Sequence, residues 1–216
     1  MVYQLVGSNV VVAAHSFNPS VFSQTWLART GILREEDLSP GFLFSDQVMN
    51  AESREFGLLV VPPQLQFTPK VTPDRQAALV SEKVGAIVET LPHTPYTAIG
   101  LNFFWHIEPE DGNVPALTRR LFFVAEKPIC EFFNTDDSRF GAYFSKDVLG
   151  CRLKLDVKPI MRETAQGKTE CLQFGFNFHL DIPQGNGGAI RVIRDHIARW
   201  GEARDQASEI VGSAVA

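Results

Sequence analysis

The chain has few cysteines, and none of them lie at metal-binding or redox spacing. Among its 216 residues only Cys130, Cys151 and Cys171 are cysteines, and no C-x-x-C pair occurs. Such pairs are typical of zinc and dithiol redox sites, and an odd number of thiols cannot pair completely within one chain. We therefore predict three reduced thiols in the protein core.

Long hydrophobic runs are also missing. No stretch approaches the roughly 18 consecutive apolar residues that a membrane-spanning helix needs. The first 14 residues lack the basic n-region and the long apolar h-region of a signal peptide. These features predict a soluble, cytoplasmic protein that does not engage a membrane.

Positive charge is scarce as well. The chain has 20 Lys and Arg against 25 Asp and Glu, which gives a net charge of −5. Proteins that coat nucleic acid carry an excess of positive charge, often on one face. We therefore expect protein rather than nucleic acid as the partner, and the oligomeric state does not follow from the sequence.

Aromatic residues are unevenly distributed in favour of phenylalanine. The chain has 17 Phe but only 3 Tyr and 3 Trp. A phenyl ring has no polar group, so it is buried or it binds apolar surface. With 44% hydrophobic and 21% charged residues, values near the globular average, the chain is expected to fold throughout around an aromatic core.

Hydrophobic periodicity predicts an α+β fold, with a mostly antiparallel sheet packed against about four helices in one domain that spans residues 1–216. Strands are predicted at residues 9–15, 42–50, 56–61, 64–68, 96–108, 140–144, 149–160 and 170–180. Helices are predicted to begin at Asn18, Thr72, Asn113 and Asn186, the last reaching at least Gln206. Pro92 and Pro128 are expected to end the second and third of these helices.

A short pattern recurs at an offset of 73 residues. The residues 105–108 and 178–181 share the order aromatic, histidine, aliphatic and acid, and an asparagine follows seven residues after each histidine. Such an echo predicts an internal duplication, with halves at about 40–108 and 109–181 and a C-terminal helix beyond them. Chance similarity between two amphipathic strands is the alternative.

The echo also supplies candidate metal ligands. Residues at i and i+2 of a strand project from the same face, so His106 pairs with Glu108 and His179 with Asp181. Two imidazoles and two carboxylates are a donor set suited to Zn²⁺ or Fe²⁺ if the strands adjoin. Against this interpretation, no compact metal motif such as H-E-x-x-H is present.

A glycine-rich turn is a candidate anion site. Gly185, Gly187 and Gly188 precede the last predicted helix, and Arg191 and Arg194 follow in its first turns. A helix N-terminus offers free backbone N–H groups, and glycine lets a phosphate approach closely. Neither common phosphate-loop pattern is matched, so ordinary helix capping is the alternative.

No arrangement typical of nucleophilic catalysis is present, since the G-x-S-x-G elbow does not occur. Catalytic residues and cofactors therefore cannot be assigned, and whether the protein is an enzyme stays open. A non-catalytic protein-interaction or assembly protein is the first interpretation, because no candidate site is stronger than its structural alternative and an α+β domain with an aromatic core needs no substrate. The alternative is a metal-dependent or phosphate-binding enzyme that uses the two His-x-acid pairs or the turn at Gly185, Gly187 and Gly188.

Overall fold

The computed structural model describes residues 2–37, 42–164, 167–183 and 188–215. The strands are β1 (Val2–Ala14), β2 (Leu43–Phe44), β3 (Met49–Glu52), β4 (Phe56–Val61), β5 (Gln64–Pro69), β6 (Tyr96–Glu108), β7 (Ala142–Val148), β8 (Cys151–Thr164) and β9 (Gly167–Asp181). The α-helices are α1 (Gln24–Arg29), α2 (Pro73–Thr90), α3 (Val114–Phe122), α4 (Pro128–Glu131), α5 (Ala189–Ile197) and α6 (Trp200–Val215).

All nine strands join one antiparallel sheet, in the order β2-β3-β4-β5-β1-β6-β9-β8-β7. Four of the helices, α2, α3, α5 and α6, are longer than two turns. The predicted α+β class, with a mostly antiparallel sheet and about four helices, is therefore confirmed. No helix within the described ranges is long and apolar enough to cross a bilayer.

Apart from the short β2, the sheet has the same layout on both sides of its centre. The long strands β1 and β6 pair there, and each is followed by a helical connection, an antiparallel run of strands and at least one further helix. In this layout β1 corresponds to β6 and β5 corresponds to β9. The two topologically related parts are residues 2–90 and 96–215.

The offset of 73 residues found in the sequence does not follow this symmetry. It relates the end of β6 to the end of β9, but these strands are hydrogen-bonded neighbours within the second part. The similarity between residues 105–108 and 178–181 therefore does not mark equivalent positions in the sheet.

Alternation along the strands explains which face of the sheet is buried. In β6 the side chains of Leu101, Phe103, Trp105 and Ile107 are buried, as are those of the matching residues in β9. The helices α2, α3, α5 and α6 contact this sheet through β5, β6 and β9. The core is aromatic, as predicted: Trp200 of α6 packs on Phe103 with ring centroids 4.7 Å apart.

The opposite face of the sheet carries the residues that alternate with the core. At its centre Asn177 donates a 2.7 Å hydrogen bond to Asn102, which donates another of 2.7 Å to Asn9. These three side chains form a ladder across β9, β6 and β1. The ladder pairs the side-chain oxygens of Asn9 and Asn102, whereas the buried Asn177 Oδ1 has no hydrogen-bond partner among the described residues.

Several predicted elements have different boundaries. The strand predicted at residues 42–50 is divided into β2 and β3, and the one predicted at 140–144 extends to Val148 as β7. β1 begins at Val2, whereas the prediction placed its start at residue 9. A register shift between Leu5 and Gly7 interrupts the alternation from which a strand is predicted.

The predicted N-cap Asn18 accepts a hydrogen bond from the Ser20 backbone N–H and caps a short 3₁₀ helix, Pro19–Val21. The α-helix α1 begins after it, where Ser23 accepts a hydrogen bond from the backbone N–H of Trp26. The last helix is divided into α5 and α6 near Ala198.

Candidate functional site

The first predicted metal pair lies at the end of β6, and both of its side chains have other partners. His106 Nε2 is 3.3 Å from the side-chain oxygen of Gln173 on β9. Glu108 forms an ion pair with Arg162 of β8. Each group is therefore part of a cross-strand contact on the sheet.

The second pair, His179 and Asp181, lies far from the first. The two side chains are hydrogen-bonded at 3.0 Å, and the Asp181 carboxylate is largely exposed. In the sheet, His179 is opposite Gly100, whereas His106 is opposite Gln173. These positions are six residues apart along the strands, which corresponds to roughly 20 Å.

The four predicted ligands therefore do not form one site. β6 and β9 run antiparallel, so their histidines lie toward opposite ends of the pair, and a single ion cannot bind both. No cluster of three or more His, Cys, Asp or Glu suited to a metal ion occurs among the described residues.

The predicted anion site is only partly described. Gly185 and Gly187 lie outside the described residues, and Gly188 is the N-cap of α5. Both arginines of this prediction have carboxylate partners: Arg194 pairs with Glu89 of α2, and Arg191 lies 3.6 Å from Asp195. Anion binding at this turn stays a prediction.

An exposed apolar surface lies between β6 and β7. Residues 123–140, here called the α4 segment, contain α4 and carry, besides Val124, which is 41% exposed, a group of three large side chains that project into solvent. Ile129 is 67% exposed, Phe132 84% and Phe133 53%. Because residues at i, i+3 and i+4 share one side of a helical turn, the three form one patch.

The base of the α4 segment is held by Arg119 of α3. Its guanidinium lies 4.6 Å from the ring centre of Phe123 and 5.5 Å from that of Phe140, so the cation stacks with aromatic rings at both ends of the segment. It also donates hydrogen bonds to the side chain of Asn134 at 2.9 Å and to the carbonyl oxygen of Thr135 at 2.6 Å. One side chain thus ties together the start, the end and the middle of the segment.

Two further contacts fix how the patch is presented. The rings of Phe123 and Phe140 meet edge to face at 5.5 Å, and the Phe140 backbone N–H donates to the hydroxyl of Thr118. Cys130 turns inward and is buried, in contrast to Ile129 beside it. The exposed side chains therefore extend from an anchored turn.

Acidic residues surround the patch. Across the α4 segment the chain carries Glu126, Glu131, Asp136 and Asp137 against Lys127 and Arg139, a net charge of −2. All six are exposed. An apolar centre with a charged rim is the usual arrangement of a protein-binding surface.

A cavity of about 520 Å³ lies on the helix-covered side of the sheet. Its walls come from α3, from the strands β7, β8 and β9, and from the end of α6. The lining residues are Leu121, Phe122, Phe144, Ser145, Lys146, Leu153, Leu155, Phe174, Ile210 and Ala214. This apolar cavity falls within the usual size range of ligand pockets, and its wall is mostly hydrocarbon.

The sequence shows the surplus of phenylalanine but did not predict the exposed apolar patch of the α4 segment. Pro128 was predicted to end a helix, whereas it begins α4. The signal available was the run from Ile129 to Phe133, in which two adjacent phenylalanines stand beside acids and follow no strand alternation.

Comparison with known protein families and with curated proteins finds no match to the chain.

Proposed function

We propose that the chain is a non-catalytic protein-interaction protein whose α4 segment binds a partner protein. The observation that carries the proposal is the exposure of Ile129, Phe132 and Phe133 on a turn that Arg119 holds in place. Exposed apolar residues scattered singly are ordinary, but a contiguous and anchored group marks an interaction site.

The anchoring contributes to affinity. Ordering a flexible loop on binding costs free energy, about 0.5–1.5 kcal/mol for each immobilised side chain. The contacts of Arg119 with Asn134 and Thr135 fix the backbone before a partner arrives. Binding therefore requires less additional free energy to order the segment than a flexible loop would require.

The charge around the patch specifies the partner. A segment of net charge −2 favours a partner with an apolar pocket bordered by Lys and Arg, since complementary charge speeds association and excludes acidic surfaces. We propose a partner of this chemistry, which accepts the side chains of Phe132 and Phe133 in its pocket.

The test uses the full chain with a photo-crosslinking phenylalanine analogue in place of Phe132, and a control in which it replaces the exposed Met161. We expect discrete adducts from position 132 that are not formed from position 161 and that decrease as salt is raised. The crosslinked protein is then identified, purified and titrated against the chain.

In that titration, Ile129→Ser and Phe133→Ser should each weaken binding by about tenfold or more, the effect expected of central interface residues. Val2→Ser and Val6→Ser, which change apolar residues that are also exposed, are the matched controls and should leave binding unchanged. Glu131→Lys should slow association. Equal binding by Phe133→Ser and Val6→Ser would refute the proposal, and adducts between two copies of the chain would refute the basic partner.

A further inference from the structure

We propose that the apolar cavity binds a single-chain amphiphile with a carboxylate head, such as a fatty acid. This inference is independent of the proposed function, because different residues and a different surface carry it. Eight of the ten lining residues are apolar, and Lys146 is the only charged one among them.

The strand geometry places the charge at the entrance. Phe144 and Lys146 stand on the same face of β7, opposite Leu155 and Leu153 of β8. Because β7 is the last strand of the sheet, this side of the cavity is an edge that is open to solvent. Phe144 is 52% exposed, whereas Leu153 and Leu155 are buried.

Lys146 is available to bind an anion. Its ammonium forms no ion pair with any carboxylate of the described residues, in contrast to Lys70, Lys83 and Lys158. A free cation at the mouth of an apolar cavity, in a chain with a net charge of −5, attracts a negatively charged head group.

The interior selects for hydrocarbon. Phe174 and Leu155 of the sheet, Leu121 of α3 and Ile210 of α6 offer no polar atom to a ligand. The only lining hydroxyl, that of Ser145, already donates a 3.1 Å hydrogen bond to the Leu153 carbonyl oxygen. A polar group buried there would lose its hydrogen bonds to water, so an unbranched alkyl tail fits and a polar heterocycle does not.

The test is calorimetric titration of the delipidated full chain with saturated fatty acids from octanoate to hexadecanoate, and with the alcohols of matching length. Each added methylene should tighten binding by about fourfold until the cavity is filled, after which affinity levels off. The carboxylate should bind about two- to fivefold more tightly than the alcohol of the same length, as expected for one exposed ion pair.

Variants locate the site. Ala214→Phe places a ring in the cavity and should weaken dodecanoate binding by about tenfold or more, with the thermal midpoint measured to confirm folding. Lys146→Gln should remove the preference for carboxylate over alcohol. Lys154→Gln, a matched control on the opposite face of β8, should change neither.

Affinity that is independent of chain length, or unchanged in a folded Ala214→Phe variant, would overturn the site. A carboxylate preference that survives Lys146→Gln would overturn the role of that cation. Phe132→Ser should bind dodecanoate as the parent does, so failure of this proposal and failure of the partner proposal are distinguishable.

Discussion

Removing the indole of Trp200 tests how α6 is attached to the sheet. The side chain is fully buried, and its ring packs on Phe103, which itself contacts the rings of Trp105 and Phe178. Truncation of a buried Trp to Ala typically costs about 3–5 kcal/mol, a large part of the roughly 5–15 kcal/mol that stabilises a domain. Trp200→Ala should therefore lower the thermal midpoint by roughly 6–20 °C in a chain of this size.

A second substitution at the same position refines the magnitude. The Trp200 indole N–H is buried and has no hydrogen-bond partner among the described residues. An unsatisfied buried donor costs about 1–3 kcal/mol, so its removal offsets part of the packing lost in Trp200→Phe. We expect Trp200→Phe to cost less than about 1.5 kcal/mol, because the aromatic contact with Phe103 is kept.

The assay is equilibrium urea denaturation followed by far-ultraviolet circular dichroism, with free energies from linear extrapolation. A loss below about 1 kcal/mol in Trp200→Ala would refute the packing argument, since that is far less than a buried Trp contributes. Equal losses in both variants would show that the indole N–H is hydrogen-bonded in solution.

Three further predictions concern buried polar groups. Asn102→Ala should destabilise the protein by about 1–3 kcal/mol in the same assay, because both neighbours in the ladder lose a partner, and a neutral result would contradict the ladder. Burial lowers the pKa of the His196 imidazole, which lies 2.9 Å from the Phe178 carbonyl oxygen. The neutral imidazole therefore contributes its full stability above about pH 6.5, and this contribution is lost as the pH falls toward the lowered pKa of the folded protein. The free energy of unfolding, measured from about pH 7.5 to 5.5, should consequently fall less in His196→Gln than in the parent. The three cysteines are unpaired and buried, and burial raises the pKa of the Cys151 and Cys171 thiols. Thiol titration without reductant should find all three after denaturation and slower reaction in the native protein; only one reactive thiol would indicate a disulfide.

Sequence patterns predicted the elements whose signals are local. The strand at residues 96–108 has the predicted bounds, and over its second half, residues 103–108, every second side chain is buried. Helix α2 begins at Pro73 and ends at Thr90, just before the predicted stop at Pro92. In both elements the residues that set the two ends lie within the element or next to it in the sequence, so a local pattern is enough to predict them.

Elements that depend on distant contacts were predicted less well. Pro128 fits the first turn of a helix as well as the end of one, so its position alone does not distinguish the two. Residues 189–200 contain no proline or glycine, so the sequence gives no signal for the separation of α5 from α6 near Ala198. Ile197 and Trp200 are nevertheless both buried, as their spacing predicted.

The predicted metal pairs show why a candidate site is harder to predict than a fold. Local sequence places His106 and His179 each near the end of a strand, and the structure agrees. Whether two such ends meet depends on the relative direction of the strands. β6 and β9 are antiparallel neighbours, and this pairing separates residues that a parallel arrangement would bring together.

The symmetry of the sheet gives an internal comparison for the α4 segment. The connection that follows β1 occupies the same topological place as the connection that follows β6. Among its described residues the first connection buries Phe22, Leu27 and Ile32, each 1% exposed, and leaves Phe42 46% and Leu43 49% exposed where β2 begins. The second leaves Phe132 84% and Ile129 67% exposed, although the same sheet lies beside it. The helical part of the first connection thus packs on the core without a large exposed apolar side chain. The exposure of Ile129 and Phe132 at α4 therefore favours a role in binding over a role in folding.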